Sequence, residues 1–173
     1  VAVLFGGRSG EHDVSLMSAR SVLSVLDPQK YEVTQVGITR EGKWLTGENV
    51  HAKFVDEKYA GLEPAIVSPD PSEAGLFVLR GEKIEKLTDV DVYFPVLHGT
   101  FGEDGTLQGL FEMADAAYVG AGVVGSAVGM DKGIFKDVMI ANGIPVVDTL
   151  VVTRAEIERD MEEVIRRAET VSG

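Results

Sequence analysis

The first 26 residues constrain the fold more than any other stretch of the chain. Val1-Ala2-Val3-Leu4-Phe5 is an unbroken apolar run, and Gly6-Gly7-Arg8-Ser9-Gly10 ends it. Apolar residues then recur at Leu16, Ala19, Leu23 and Leu26 and stop at Asp27-Pro28. A run that is apolar at every position suits a strand covered on both faces, and the later spacing suits one apolar stripe along a helix. Strand, glycine loop and helix together begin a crossover unit. The expectation is an α/β fold: a mostly parallel sheet flanked by helices.

The rest of the chain extends this pattern. A strand is predicted at about 31–39, with a turn at Arg40-Glu41-Gly42-Lys43 leading into a short hairpin through Trp44-Leu45. Residues 47–75 hold Pro64, Pro69 and Pro71 and little periodicity, so they read as an elaborated loop region. Short strands are expected at Leu76–Leu79 and Lys83–Leu87, and another at Val90–Leu97. A helix should follow from about Thr106 to Ala114, then a short strand at Tyr118-Val119 and a helical stretch over Gly122–Asn142. Val146–Val152 reads as a strand. Thr153, with Glu156 three residues on, forms a capping box that opens a helix to about Thr170.

Charge and composition narrow the function. The chain has 16 basic and 28 acidic residues, a formal charge of −12, which disfavours a broad polyanion-binding surface and predicts no nucleic-acid partner. No apolar run approaches the roughly 20 residues of a membrane span, and Val1–Phe5 is too short for a signal peptide, so no membrane association is expected. The absence of cysteine favours a reducing, cytoplasmic setting. Twenty glycines in 173 residues exceed the usual ~7% and point to loops shaped by backbone.

In open α/β sheets ligands bind beyond the carboxyl ends of strands, and three loops are expected there. In Gly6–Ser15 the acidic pair Glu11 and Asp13 argues against a phosphate and for an ammonium, although Asp13 or Ser15 could cap the helix and Glu11 could complement its dipole. In the loop after Leu97, His98 can face a ligand and titrate near neutral pH, while Asp104 reads as a helix cap. Gly120-Ala121-Gly122-Val123-Val124-Gly125 is formally G-x-G-x-x-G, with Asp148 at 23 residues beyond it, so a dinucleotide site stays open. Lys132, taken alone, reads as a solvated lysine. His12, His51 and His98 have no paired spacing of the kind that holds a metal.

Three strings in register resemble the D-alanine–D-alanine ligases of the ATP-grasp superfamily. They are Val3–Ser15, Leu97–Gly109, and Gly120-Ala121-Gly122 followed by Ser126-Ala127 and Met130-Asp131-Lys132. The resemblance implies a Rossmann-like N-terminal substrate domain over residues 1–121 and the incomplete first part of the central ATP-binding domain over 122–173. It implies ATP and Mg2+ as cofactors and D-alanine as substrate. Glu11 matches the carboxylate that holds the first D-alanine's ammonium and is the catalytic candidate. Val14 matches a residue lining its methyl group, His98 one near its carboxylate, and Lys132 a lysine on the ATP phosphates. The family's magnesium ligands and mobile loop have no counterpart in these residues and are expected outside them. The resemblance further implies peptidoglycan precursor synthesis in the cytoplasm by a homodimer. A D-alanine–D-lactate or D-alanine–D-serine ligase, a dinucleotide-dependent oxidoreductase and a non-catalytic binding module remain the alternative readings.

Overall fold

The computed structural model describes residues 1–172, which divide into two compact units, Val1–Met130 and the residues from Asp131 onward. The first unit is an α/β structure on a seven-stranded sheet ordered β6-β5-β4-β3-β2-β1-β7. Its strands are β1 (Ala2–Gly6), β2 (Thr34–Ile38), β3 (Trp44–Thr46), β4 (Glu63–Val67), β5 (Leu76–Arg80), β6 (Lys83–Thr88) and β7 (Tyr93–Pro95). Its helices are α1 (His12–Val25), α2 (Val50–Val55), α3 (Thr106–Met113) and α4 (Val123–Met130).

β1 is the axis of the unit. Every residue of it is buried, and its side chains alternate between two cores. Ala2 and Leu4 join Val36, Tyr93, Leu107 and Phe111 on the α3 face. Val3 and Phe5 join Leu16, Ala19, Val50 and Phe54 on the α1–α2 face. This is the two-faced burial that the unbroken apolar run demands.

The sheet is mixed, with its parallel part confined to the β2-β1-β7 end. β1 pairs in parallel with β2 and β7, whereas β2·β3, β3·β4, β4·β5 and β5·β6 are antiparallel. Loop length explains the change: the turn from Thr39 to Lys43 is too short for a crossover and can only return the chain antiparallel. Within 47–75, read from sequence as loop, the chain forms both α2 and β4. Tyr118 contributes a single parallel bridge to Tyr93 where a short strand was expected.

The second unit contains α5 (Lys132–Ala141), α6 (Arg154–Arg159) and α7 (Met161–Ser172). The helical stretch expected over 122–142 is broken at Asp131, whose extended backbone and carboxylate cap α5 through the N–H groups of Gly133 and Ile134. The capping box is present, with Thr153 accepting from the Glu156 N–H and Glu156 accepting from the Thr153 N–H. The helix it opens stops at Asp160, which leaves helical geometry (φ −157°, ψ 84°), and restarts as α7. Val146–Val152 forms no strand. Among the described residues no neighbouring strand offers it a ladder, and the Lys136 ammonium instead binds the Val147 carbonyl and the Thr149 hydroxyl.

Candidate functional site

The site follows from topology. From β1 the chain moves through α1 to β2 on one side, and β7 arrives on the other side of β1, in parallel. The order therefore reverses at β1, and the loops after β1 and β7 emerge side by side at the carboxyl end. Such a switch point leaves a crevice in which ligands bind.

Backbone geometry sets the first loop. Gly6 has φ +89°, and a Cβ there would lie 2.3 Å from the Ile38 carbonyl oxygen, so only glycine permits this turn. The Gly7 N–H donates to that carbonyl at 2.8 Å. Ser9 ties this loop to the next: its hydroxyl donates to the His98 carbonyl (2.6 Å) and accepts the Glu11 N–H (3.1 Å). Below them Ser15, fully buried, accepts the Gly6 N–H at 2.8 Å and donates to the Val96 carbonyl.

Glu11 stands at the N-cap position of α1 without a side-chain capping bond. Neither Asp13 nor Ser15 caps the helix through its side chain. Asp13 pairs with Arg40 at 2.7 Å, a hydrogen bond that holds its carboxyl below the usual range, and Ser15 is committed to strand carbonyl and amide. Glu11 is exposed, and among the described residues no cation pairs with it. Its carboxylate lies against Gly99, where a Cβ would sit 2.6 Å from Oε2; Gly99, at φ +72°, makes room for it. Val14, one turn along α1, is 42% exposed on the same side of the helix.

His98 is anchored through one ring nitrogen and has a carboxylate near the other. Nε2 shares a 2.9 Å hydrogen bond with the Ser18 hydroxyl, and Nδ1 lies 3.6 Å from Glu103 Oε1. The other Glu103 oxygen accepts the Gly99 N–H at 2.6 Å. Asp104 shapes the rest of the loop. Burial raises its pKa, but the N–H groups of Phe101 and Thr106 outweigh that and hold it below the ordinary carboxylate range. It thus serves the entry to α3, as the cap reading expected. The other histidines are structural: His12 is buried with Nδ1 on the Gly7 carbonyl, and His51 bonds the Leu16 carbonyl.

Glu11, Val14 and His98 therefore share one platform. Lys132 is the first residue of α5, exposed, in the other unit. Asp131 already occupies the free N–H groups at that helix end, so the residues present supply a phosphate with one ammonium and no backbone cradle. Among the described residues no three His, Asp or Glu side chains group as metal ligands. The G-x-G-x-x-G string is not set as a dinucleotide fingerprint. Only a one-residue bridge precedes it, and Asp148 follows no strand.

Three side chains of this region escaped sequence reasoning. Ser18 could have been found from helical register, since it lies seven residues, or two turns, beyond Glu11. Ser9 and Gln108 carry no such signal. Gln108 is buried, donates to the Gly102 carbonyl at 2.8 Å, and leaves its Oε1 without a partner beside a cleft of about 490 Å3 that His98 and Glu103 also line.

Residues 1–121 match the family model described as D-ala D-ala ligase N-terminus. A D-alanine–D-alanine ligase from Natranaerobius thermophilus is 44% identical over 166 residues, covering 95% of this chain and 45% of that protein. Two solved structures are similar throughout. The VanG D-Ala:D-Ser ligase from Enterococcus faecalis has a TM-score of 0.79 and 36% identity, covering 95% of this chain and 48% of its own. The D-alanine-D-alanine ligase from Coxiella burnetii has a TM-score of 0.77 and 34% identity, covering 98% and 47%. The chain spans less than half the length of the curated relatives it matches. With the family model matched over most of its length and the fold shared with these ligases, the chain belongs to the D-alanine–D-alanine ligase family.

Proposed function

We propose that this chain provides the first-substrate platform and the opening of the nucleotide-binding part of an ATP-dependent ligase that makes D-alanyl-D-alanine for peptidoglycan precursors. In this reading residues 1–121 are the substrate domain. The ATP-binding domain begins at 122, with α4 as its first element; Gly173, at the end of the stretch assigned to it, lies outside the described residues. The observation that carries the reading is the unpaired Glu11 carboxylate set beside Gly99 and His98 at the switch point.

A free carboxylate is a poor electrophile. The first D-alanine's carboxylate takes the γ-phosphoryl group of ATP, giving an acyl phosphate and releasing ADP. The second D-alanine's amine, having lost its ammonium proton, attacks the carbonyl carbon as phosphate leaves. Positioning and charge stabilisation do most of this work. Glu11 holds the first ammonium by a charge-assisted hydrogen bond, Val14 meets the methyl group, and His98, kept in place by Ser18, faces the carboxylate. Lys132 offers its ammonium to a phosphate. Mg2+, which would neutralise the transferring phosphoryl charge, is assigned ligands beyond these residues. The working form is proposed to be a cytoplasmic homodimer, without nucleic-acid or membrane partners; among the described residues no helix is long and apolar enough to cross a membrane.

The similarity to a D-Ala:D-Ser ligase favours D-serine as the one other second substrate worth testing. Product analysis with D-alanine alone and with D-serine added separates the two. The platform itself is tested by Glu11→Gln in the intact protein. Truncating one partner of a desolvated charged pair costs about 2–5 kcal/mol, so kcat/KM for the first D-alanine should fall at least about tenfold. Melting temperature should hardly move. Normal turnover with lowered melting would make Glu11 a purely structural residue and remove the reading's support.

A further inference from the structure

A second cavity, of about 250 Å3, opens beside the two site loops; its lining includes His98 but neither Glu11 nor Val14. Ile38, Leu97 and Leu107, all buried, form its floor, and Trp44 forms one wall. Arg8 and Phe101, both exposed, stand at its mouth. The Arg8 guanidinium carbon is 4.5 Å from the Phe101 ring centroid. Attraction to the ring face holds the guanidinium there while its N–H donors stay free. Among the described residues no carboxylate pairs with Arg8, although acidic residues far outnumber basic ones in the chain. Phe101 is held at φ +66°, with its N–H on the Asp104 carboxylate. That conformation is uncommon for a residue with a Cβ and fixes the direction in which the ring leaves the loop.

Size and chemistry then limit the occupant. A dry apolar cavity of about 150 Å3 is enough to take a benzene ring. A cavity of about 250 Å3 leaves room for one ring and one small substituent. A fixed guanidinium edge at the mouth selects a planar anion that it can bind through two parallel hydrogen bonds. We propose that this cavity is a binding site for a small carboxylate bearing a single apolar ring, the ring inside and the carboxylate on Arg8. The site adjoins the one assigned to D-alanine, with His98 on the border between them.

Calorimetric titration of the intact protein with sodium benzoate, and with its neutral isostere benzamide, tests the assignment. Benzoate should bind with a stoichiometry of one. Benzamide should bind at least about tenfold more weakly, as should benzoate to Arg8→Gln, because each loses one partner of a charged hydrogen-bonded pair. Leu110→Trp, which fills the cavity from its partly buried α3 wall, should abolish binding of both compounds. Arg8 lies on an exposed loop, so its variant keeps the test decisive if Leu110→Trp does not fold. No heat with benzoate, equal affinity for benzamide, or full binding by Arg8→Gln would each overturn the proposal. None of these readouts depends on ligation, so failure here and failure of the ligase reading are distinguishable.

Discussion

The two compact units are held together by different means. In residues 1–130 the sheet is covered on both sides, and β1 contributes side chains to each of two buried clusters. From Asp131 onward no described residue is buried. There the order is local: the Asp131 cap, the Thr153–Glu156 capping box, and an ion pair between Arg167 and Glu156 at 3.0 Å. One unit rests on tertiary burial and the other on helix ends, so the same class of substitution should have very different consequences in each.

The largest separation is expected from apolar truncation. Phe54 is 1% exposed and meets Phe5 and Tyr59 edge to face. Phe54→Ala should cost about 3–5 kcal/mol in denaturant unfolding. Ile134, 52% exposed on α5, should lose no more than about 0.5 kcal/mol on the same change. Comparable losses at the two positions would mean that the second unit hides a core of its own.

A smaller effect should appear at a helix cap. Thr153→Ala removes one arm of the capping box, for which about 1 kcal/mol is typical, or roughly fivefold faster hydrogen exchange at the amides of α6. The change should not spread to the amides of β1. If α6 exchanges at an unaltered rate, local caps are not what orders this unit.

The smallest signal is a titration. The Thr153 N–H, then Arg167 and the Thr153 hydroxyl, hold the Glu156 carboxyl down to about 2. A depressed folded pKa stabilises the structure above the unfolded value, near 4.3, and that stabilisation is lost as pH falls through about 2. The Glu156 carboxyl resonance should therefore titrate near pH 2, and the box should survive pH 4. A midpoint near 4.3 would show the box open in solution.

What could be read in the sequence depended on how far each residue's partners lie along the chain. β1, α1 and the capping box announce themselves because their signals are local: an unbroken apolar run, a repeating stripe, a Thr and a Glu three apart. α2 gave no such sign. It is six residues long, and Asn49 before it is left-handed and caps nothing with its side chain. β4 is disguised by Pro64, which a strand tolerates here near its start, opposite Leu45. Val146–Val152 misled in the other direction, since apolar β-branched residues make a strand only when a neighbour supplies the ladder. The site shows the same division. Glu11 and His98 stood out by residue type and by their place after strands. The contacts that orient them, Ser9 to His98 and Ser18 to His98, bridge 89 and 80 residues of sequence, and no local pattern encodes them.

Ser15 has a consequence larger than its size. Its single oxygen bonds the end of β1 and the segment leaving β7 at once, in a place with no solvent to compete. The gap between the two loops is thus gauged by one hydroxyl group, and neither loop can drift without leaving a buried polar group unpaired. A small molecule arriving at the crevice meets walls whose spacing is already set. Little of its binding energy is then consumed in ordering the protein, and that matters most for a ligand with few atoms to contribute.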